Sequence, residues 1–284
     1  VPEPVAPDGV APDGAAPDRP APDPAAGAVA PGPARPAARV PDPGHFDADP
    51  SGYEAGRPPY PDALWSRLRT LGVLRPGLRA LDLGAGTGQA TGPLLAAGLS
   101  VTAVEPGERL ARRLAERFPA ARLRVARTED VELPRAGYDV AVAATSIHWM
   151  DLDVVLPRVR EALATDGRFL VWRTEFGDPT ASLTPFRERV AEIVARRPPV
   201  VDVRRRGGTA ELARALTAGD LFAVEEIDVT RWSVDLDEAR VRALFATFSD
   251  WNEAEVAAAG DAARDLGGTV REHYVTPLIV LRGT

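Results

Sequence analysis

Cysteine and lysine are both missing from the 284-residue chain. Without cysteine there is no disulfide, no thiolate nucleophile and no Cys-ligated zinc or iron–sulfur centre. Without lysine there is no Schiff-base lysine, no P-loop lysine and no kinase strand lysine. All 34 basic residues are arginine, which reads as the codon usage of a GC-rich genome rather than as function. Histidine is scarce. His45, His148 and His273 are too far apart for a two-histidine metal helix, and no metal is expected. No run of 18 apolar residues exists, so no membrane span is expected. The N-terminus lacks the basic region and apolar core of a signal peptide, so a cytoplasmic location is expected. A net charge of −7 gives a nucleic-acid partner no electrostatic support.

Large apolar side chains are absent from the N-terminal segment. No Leu, Ile, Phe, Tyr or Trp occurs before Phe46, while 14 of the 28 prolines lie in the first 50 residues. A five-residue Pro-Asp repeat runs through positions 5–24. Such a segment buries too little apolar surface to offset its ordering entropy, and residues 1–44 read as a disordered, polyproline-like tail. Val1 reads as a literally translated GTG start or as a trimmed end.

From residue 60 onward the pattern alternates between strand and helix. Strands are expected at 79–83, 100–105, 123–126, 138–144 and 167–174, with helices at 61–74, 87–97, 107–118 and 153–163. Repeated units of this length imply a parallel sheet with helices on both faces. Two late strands, 222–232 and 270–281, lack a clean crossover helix and suggest an antiparallel pair at the sheet edge. Segments 177–220 and 233–269 are expected to be helical caps over the carboxyl ends of the strands. Phe245, Phe248 and Trp251 fall at helical spacing in the second cap, as acceptor-pocket residues or, on a plainer reading, as core.

The strongest local signal is Leu81-Asp82-Leu83-Gly84-Ala85-Gly86-Thr87-Gly88, a strand passing through a glycine turn into a helix. Glycine allows the sharp turn and the close approach of a ligand to the backbone. Seventeen residues past Gly88, Glu105 ends the second strand, where a carboxylate accepts from both ribose hydroxyls of an adenosine. A dinucleotide fingerprint needs a small residue at position 89, which is Gln89. A nicotinamide oxidoreductase therefore stands behind S-adenosylmethionine binding. That cofactor has no phosphate, and its carboxylate suits the partly positive helix end.

Residues 46–172 resemble class I S-adenosylmethionine-dependent methyltransferases, particularly the trans-aconitate-methyltransferase-like branch. The resemblance is carried by Tyr53 with Arg57-Pro58-Pro59-Tyr60-Pro61, by the glycine turn, by Val104-Glu105-Pro106, by Thr128-Glu129-Asp130 and by His148-Trp149-Met150-Asp151. It implies a Rossmann-like seven-stranded α/β sheet with an antiparallel last strand, forming a methyltransferase domain over 45–284. It further implies cofactor contacts from Gly84, Gly86 and Glu105, with Glu129 or Asp130 at the adenine edge and Tyr53 and Arg57 closing over the cofactor. Asp82, Ala85, Gly88, Pro106 and Thr145 complete the expected cofactor site, and His148 is the candidate base. The expected reaction is methyl transfer to a small-molecule hydroxyl, amine or carboxylate, the rival being a non-catalytic protein that binds the same cofactor. Arg204-Arg205-Arg206 reads as a solvated run rather than a carboxylate clamp.

Overall fold

A computed structural model describes residues 47–197 and 208–284; the repeat-bearing tail and the Arg204–Arg206 run lie outside the described residues. The described chain begins with a short helix, α1 (Pro50–Gly56), which has proline in its first turn. Its Asp49 cap accepts the Gly52 amide at 3.0 Å. There follow α2 (Asp62–Thr70), β1 (Arg79–Leu83), α3 (Thr91–Ala96), β2 (Ser100–Glu105), α4 (Glu108–Arg117), β3 (Arg122–Val125) and β4 (Tyr138–Ala144). A single 3-10 turn, Ile147–Trp149, leads into α5 (Leu152–Ala162), β5 (Leu163–Trp172) and the two-residue β6 (Glu175–Phe176). The remainder is α6 (Pro185–Ala195), α7 (Thr209–Thr217), β7 (Phe222–Asp237), α8 (Glu238–Ala246), α9 (Glu253–Asp265) and β8 (Thr269–Gly283).

The sheet order is β3-β2-β1-β4-β5-β8, with β7 on the far side of β8. β1 to β5 run parallel, and β8 is antiparallel to both of its neighbours. This is the Rossmann-like mixed sheet expected from the sequence, with an antiparallel last strand. The eighth strand arises because Arg173 and Thr174 break the pairing between Trp172 and Glu175. β6 then resumes on β8 opposite Tyr274 and Val275, in the lane that β5 leaves.

Burial on both faces explains why β4 is nearly all apolar and why Ala80, Leu81 and Leu83 stand in β1. Leu81, Leu83, Ala141 and Ala143 share one cluster with Val155 and Val159 of α5. Ala80, Val140 and Val142 share the other with Leu64, Trp65 and Leu68 of α2. A third cluster joins Phe186 and Val190 of α6 to Val241, Leu244 and Phe245 of α8 and Ala259 of α9.

The cap boundaries differ from the sequence expectation in two ways. Ala213 and Leu216 of α7 are buried in the same cluster as α5, so the second half of segment 177–220 covers the sheet face instead of the strand ends. Residues 233–237 and 269 are strand residues in a ladder that runs from Phe222↔Gly283 to Asp237↔Thr269. α8 and α9 therefore stand at the end of a long hairpin and pack with α6. Alternation along β7 is half-buried against exposed, and this weak contrast hid the last five strand residues.

Candidate functional site

The glycine turn leaves β1 with Gly84 at φ +66° and Gly86 at φ +57°, backbone that residues with a Cβ rarely adopt. Both the Gly84 and Ala85 amides donate to the Val104 carbonyl, at 2.8 and 3.0 Å, tying the turn to β2. A Cβ on Gly84 would strike Ser146, whereas one on Gly86 would enter open space.

Glu105 ends β2 beside that turn and is 5% exposed. One carboxylate oxygen accepts the Gly86 amide and the other the Gly107 amide, each at 2.8 Å. Burial raises its pKa above the usual carboxylate range, the two amides act in the opposite direction, and nearby Asp47 adds to the rise. Asp82, on β1, is completely buried. Its Oδ2 accepts the Thr91 hydroxyl at 2.6 Å, and its Oδ1 has no hydrogen-bond partner among the described residues. Burial pushes the Asp82 carboxyl up to about 7, with Thr91 opposing and Glu105 adding to the rise.

A cleft of about 760 Å³ opens over the carboxyl ends of these strands. The structure brings Tyr53, Arg57, Gly84, Gly86, Glu105 and Pro106 to its walls, together with Glu129, Thr145 and His148. A recess of about 40 Å³ is lined by Asp82, Ala85, Thr145 and Tyr60, and shares Gly84 and Gly86 with the cleft. Two expected residues stand elsewhere. Gly88 lines neither space: a Cβ there would meet the Phe118 ring at 2.6 Å, so this glycine serves the packing of the turn on α4. Asp130 is exposed and lines neither space, while Glu129 accepts the Asp151 amide at 3.0 Å and pairs with Arg127. Burial works to raise the Glu129 pKa, but the Asp151 amide and Arg127 hold it below the usual range.

Phe245, Phe248 and Trp251 are not wall residues. Their rings pack edge-to-face, with Phe245 against Phe248 at 5.3 Å and against Trp251 at 4.4 Å, inside the third cluster. The aromatic that reaches the cleft from this cluster is Phe176, on β6. Arg57 joins the two regions. Its guanidinium lies 4.9 Å from the ring centres of both Phe176 and Phe248, and it donates to the Thr247 carbonyl at 3.1 Å. Thr128, beside Glu129, also lines the cleft, as do Asp47, Ser146 and Thr174, which carry no sequence motif that singles them out. Trp149 is a wall residue beside His148, while Trp172 is core.

Residues 81–169 match the methyltransferase-domain family. An uncharacterized methyltransferase of Mycobacterium tuberculosis is 34% identical over 130 residues, 45% of this chain and 52% of the relative. A provisionally assigned methyltransferase of Dictyostelium discoideum is 29% identical over 137 residues, 47% of this chain and 51% of that one. The chain spans about half the length of the curated relatives it matches. Among solved structures, a provisionally assigned type II methyltransferase from Anaeromyxobacter dehalogenans is 25% identical at a TM-score of 0.51, over 79% of this chain and 96% of that one. No helix among the described residues is long and apolar enough to cross a membrane, and they hold no metal-binding cluster. The glycine turn and Glu105 both lie inside the residues that match the methyltransferase-domain family.

Proposed function

We propose that this chain transfers a methyl group from S-adenosylmethionine to a small-molecule acceptor, within the trans-aconitate-methyltransferase-like branch. The observation that carries this reading is the Glu105 carboxylate, fixed by the Gly86 and Gly107 amides at the wall of a cleft. A carboxylate oxygen keeps acceptor capacity beyond one amide, so Glu105 has room for the two ribose hydroxyls. The open space over Gly86 and the unpartnered Asp82 Oδ1 also fit the cofactor, which brings adenosine and an ammonium group. A volume of about 760 Å³ is within the range of small-ligand sites.

Bound S-adenosylmethionine supplies a methyl group already activated on a sulfonium. Glu105 and Glu129 hold the adenosyl end, and Asp82 holds the ammonium end. Tyr53 and Arg57, on and just after α1, cover the cleft and exclude water. Alignment of the acceptor atom with the methyl contributes roughly 7–11 kcal/mol. His148 takes the proton of a hydroxyl or amine acceptor on a ring nitrogen, adding on the order of 10²–10⁴-fold. A carboxylate acceptor needs no such base.

Calorimetry with S-adenosylhomocysteine tests this reading. Glu105→Ala is expected to raise the dissociation constant at least about tenfold, because hydrogen bonds to a charged group contribute about 1.5–3 kcal/mol each. A wild-type protein that does not bind, or a folded variant with unchanged affinity, would reject it. A methyl-donor assay over carboxylates, phenols and amines then identifies the acceptor.

A further inference from the structure

Tyr60 lies between two indoles, edge-to-face with Trp65 at 6.1 Å and with Trp172 at 5.7 Å, and is 8% exposed. Its hydroxyl meets the Oγ1 of Thr145 at 2.9 Å, its one hydrogen-bond partner among the described residues. Thr145 follows the last residue of β4 at φ +60°, pinned there by its amide, which donates to the Trp172 carbonyl at 2.7 Å. A β-branched residue in the left-handed region is strained, and strain of this kind gathers at functional positions. Here the strain places Oγ1 where the cleft and the small recess meet.

Two hydroxyl hydrogens share this single contact. If Thr145 donated, the Tyr60 hydrogen would be left buried without an acceptor. If Tyr60 donates, its own hydrogen is satisfied and the Thr145 hydrogen is turned outward, to where a ligand can accept it. Asp82 lines the same recess, and its buried Oδ1 has no hydrogen-bond partner among the described residues. The recess thus presents one acceptor of negative charge and one directed donor, a pattern complementary to a zwitterion. Glu105, on β2, already accounts for the ribose. The part of the cofactor that reaches the ends of β1 and β4 is then its amino-acid end.

We propose that Tyr60 is a positioning residue: by donating to Thr145 it fixes the threonine hydroxyl as the donor that receives the cofactor's carboxylate, opposite Asp82. The inference rests on the methyltransferase reading above and adds to it a residue that acts through Thr145.

The test is to titrate S-adenosylmethionine and its decarboxylated analogue into wild type, Tyr60→Phe, Thr145→Val, Thr145→Ser and the double variant Tyr60→Phe/Thr145→Val. Wild type and Thr145→Ser should prefer the carboxylate-bearing ligand by about tenfold or more. Tyr60→Phe and Thr145→Val should each lose most of that preference, while binding of the analogue stays within about twofold. The double variant should lose no more than Thr145→Val alone, because the two hydroxyls act as one unit. A Tyr60→Phe variant that keeps the preference, whatever its thermal midpoint, would overturn the inference, as would additive losses in the double variant. Failure of wild type to bind either ligand would overturn the methyltransferase reading instead, so the two failures are separable.

Discussion

The Asp47 carboxylate accepts the backbone amide of Leu110 at 2.9 Å, across 63 residues of chain. The same oxygen accepts the Arg109 amide, so the first turn of α4 is capped from outside its own segment. The cap is needed because the residue before α4 is Gly107, which has no side chain to offer. A second link follows from Glu54 on α1, which pairs with Arg113 and Arg117 of α4 at 3.0 and 3.1 Å. At its far end α1 abuts α8, where a Cβ on Gly56 would come within 2.3 Å of the Ala243 carbonyl.

Asp47→Ala should therefore cost about 1 kcal/mol of stability, in the range for loss of a helix cap. Urea denaturation measures it. The same variant should bind S-adenosylhomocysteine more weakly, because Asp47 starts the segment that carries Tyr53 and Arg57 to the cleft. Unchanged stability would show that the cap is supplied by water.

On the proposed function, Asp82 should link cofactor binding to pH. With its carboxyl pushed up to about 7, roughly half of the free protein holds a neutral Asp82 at that pH. An ammonium group beside Oδ1 favours the ionised form, so binding releases a proton. Affinity for S-adenosylhomocysteine should rise as pH increases through 7 and level off above it, as calorimetry in buffers of different ionisation heat would show. Stability without ligand runs the other way. The folded-state pKa lies above the unfolded value of 3.8, so the folded form binds more protons between the two, and stability falls as pH rises from about 4 to 7. Asp82→Asn should remove that slope and stabilise the unliganded protein at pH 8, by up to roughly 4 kcal/mol, while weakening the ligand.

Phe176 and Phe245 should separate pocket from core. Phe176 lines the cleft, whereas Phe245 is 2% exposed within the cap cluster. Phe176→Ala should change acceptor turnover and leave S-adenosylhomocysteine affinity within about twofold. Phe245→Ala should instead lower stability by about 3–5 kcal/mol, the usual cost of removing a buried phenylalanine ring. Denaturation and calorimetry on both variants decide the matter; a stability loss at Phe176 equal to that at Phe245 would make both rings core.

The parallel half of the sheet was legible in the sequence because its central strands are buried on both faces and its turns carry their own signals. β4 lies at Tyr138–Ala144 as expected, and β2 ends at Glu105 as expected. The wall residues that belong to local motifs, such as Gly84 and Glu105, were legible for the same reason. Asp47 was not, because a cap 63 residues away leaves no local spacing to read. Phe176 was hidden by the break at Arg173–Thr174, which leaves a strand too short for any periodicity. The cap aromatics were ambiguous because helical spacing marks a shared face without saying what covers it. Gly88 shows the converse: a glycine inside the motif answers to the Phe118 ring.

The long hairpin has a consequence for how such a protein can change. Asp237 and Thr269 are paired neighbours on adjacent strands, so the chain leaves the sheet and returns to it at one point. Whatever is threaded between them closes a loop whose ends are already held together, and the entropy of closure grows only logarithmically with its length. Residues 238–268 can thus be lengthened, shortened or exchanged without altering the register of any strand or moving Glu105. The helical pair is thus open to wholesale replacement, while the wall that carries Glu105 is fixed by β1 and β2.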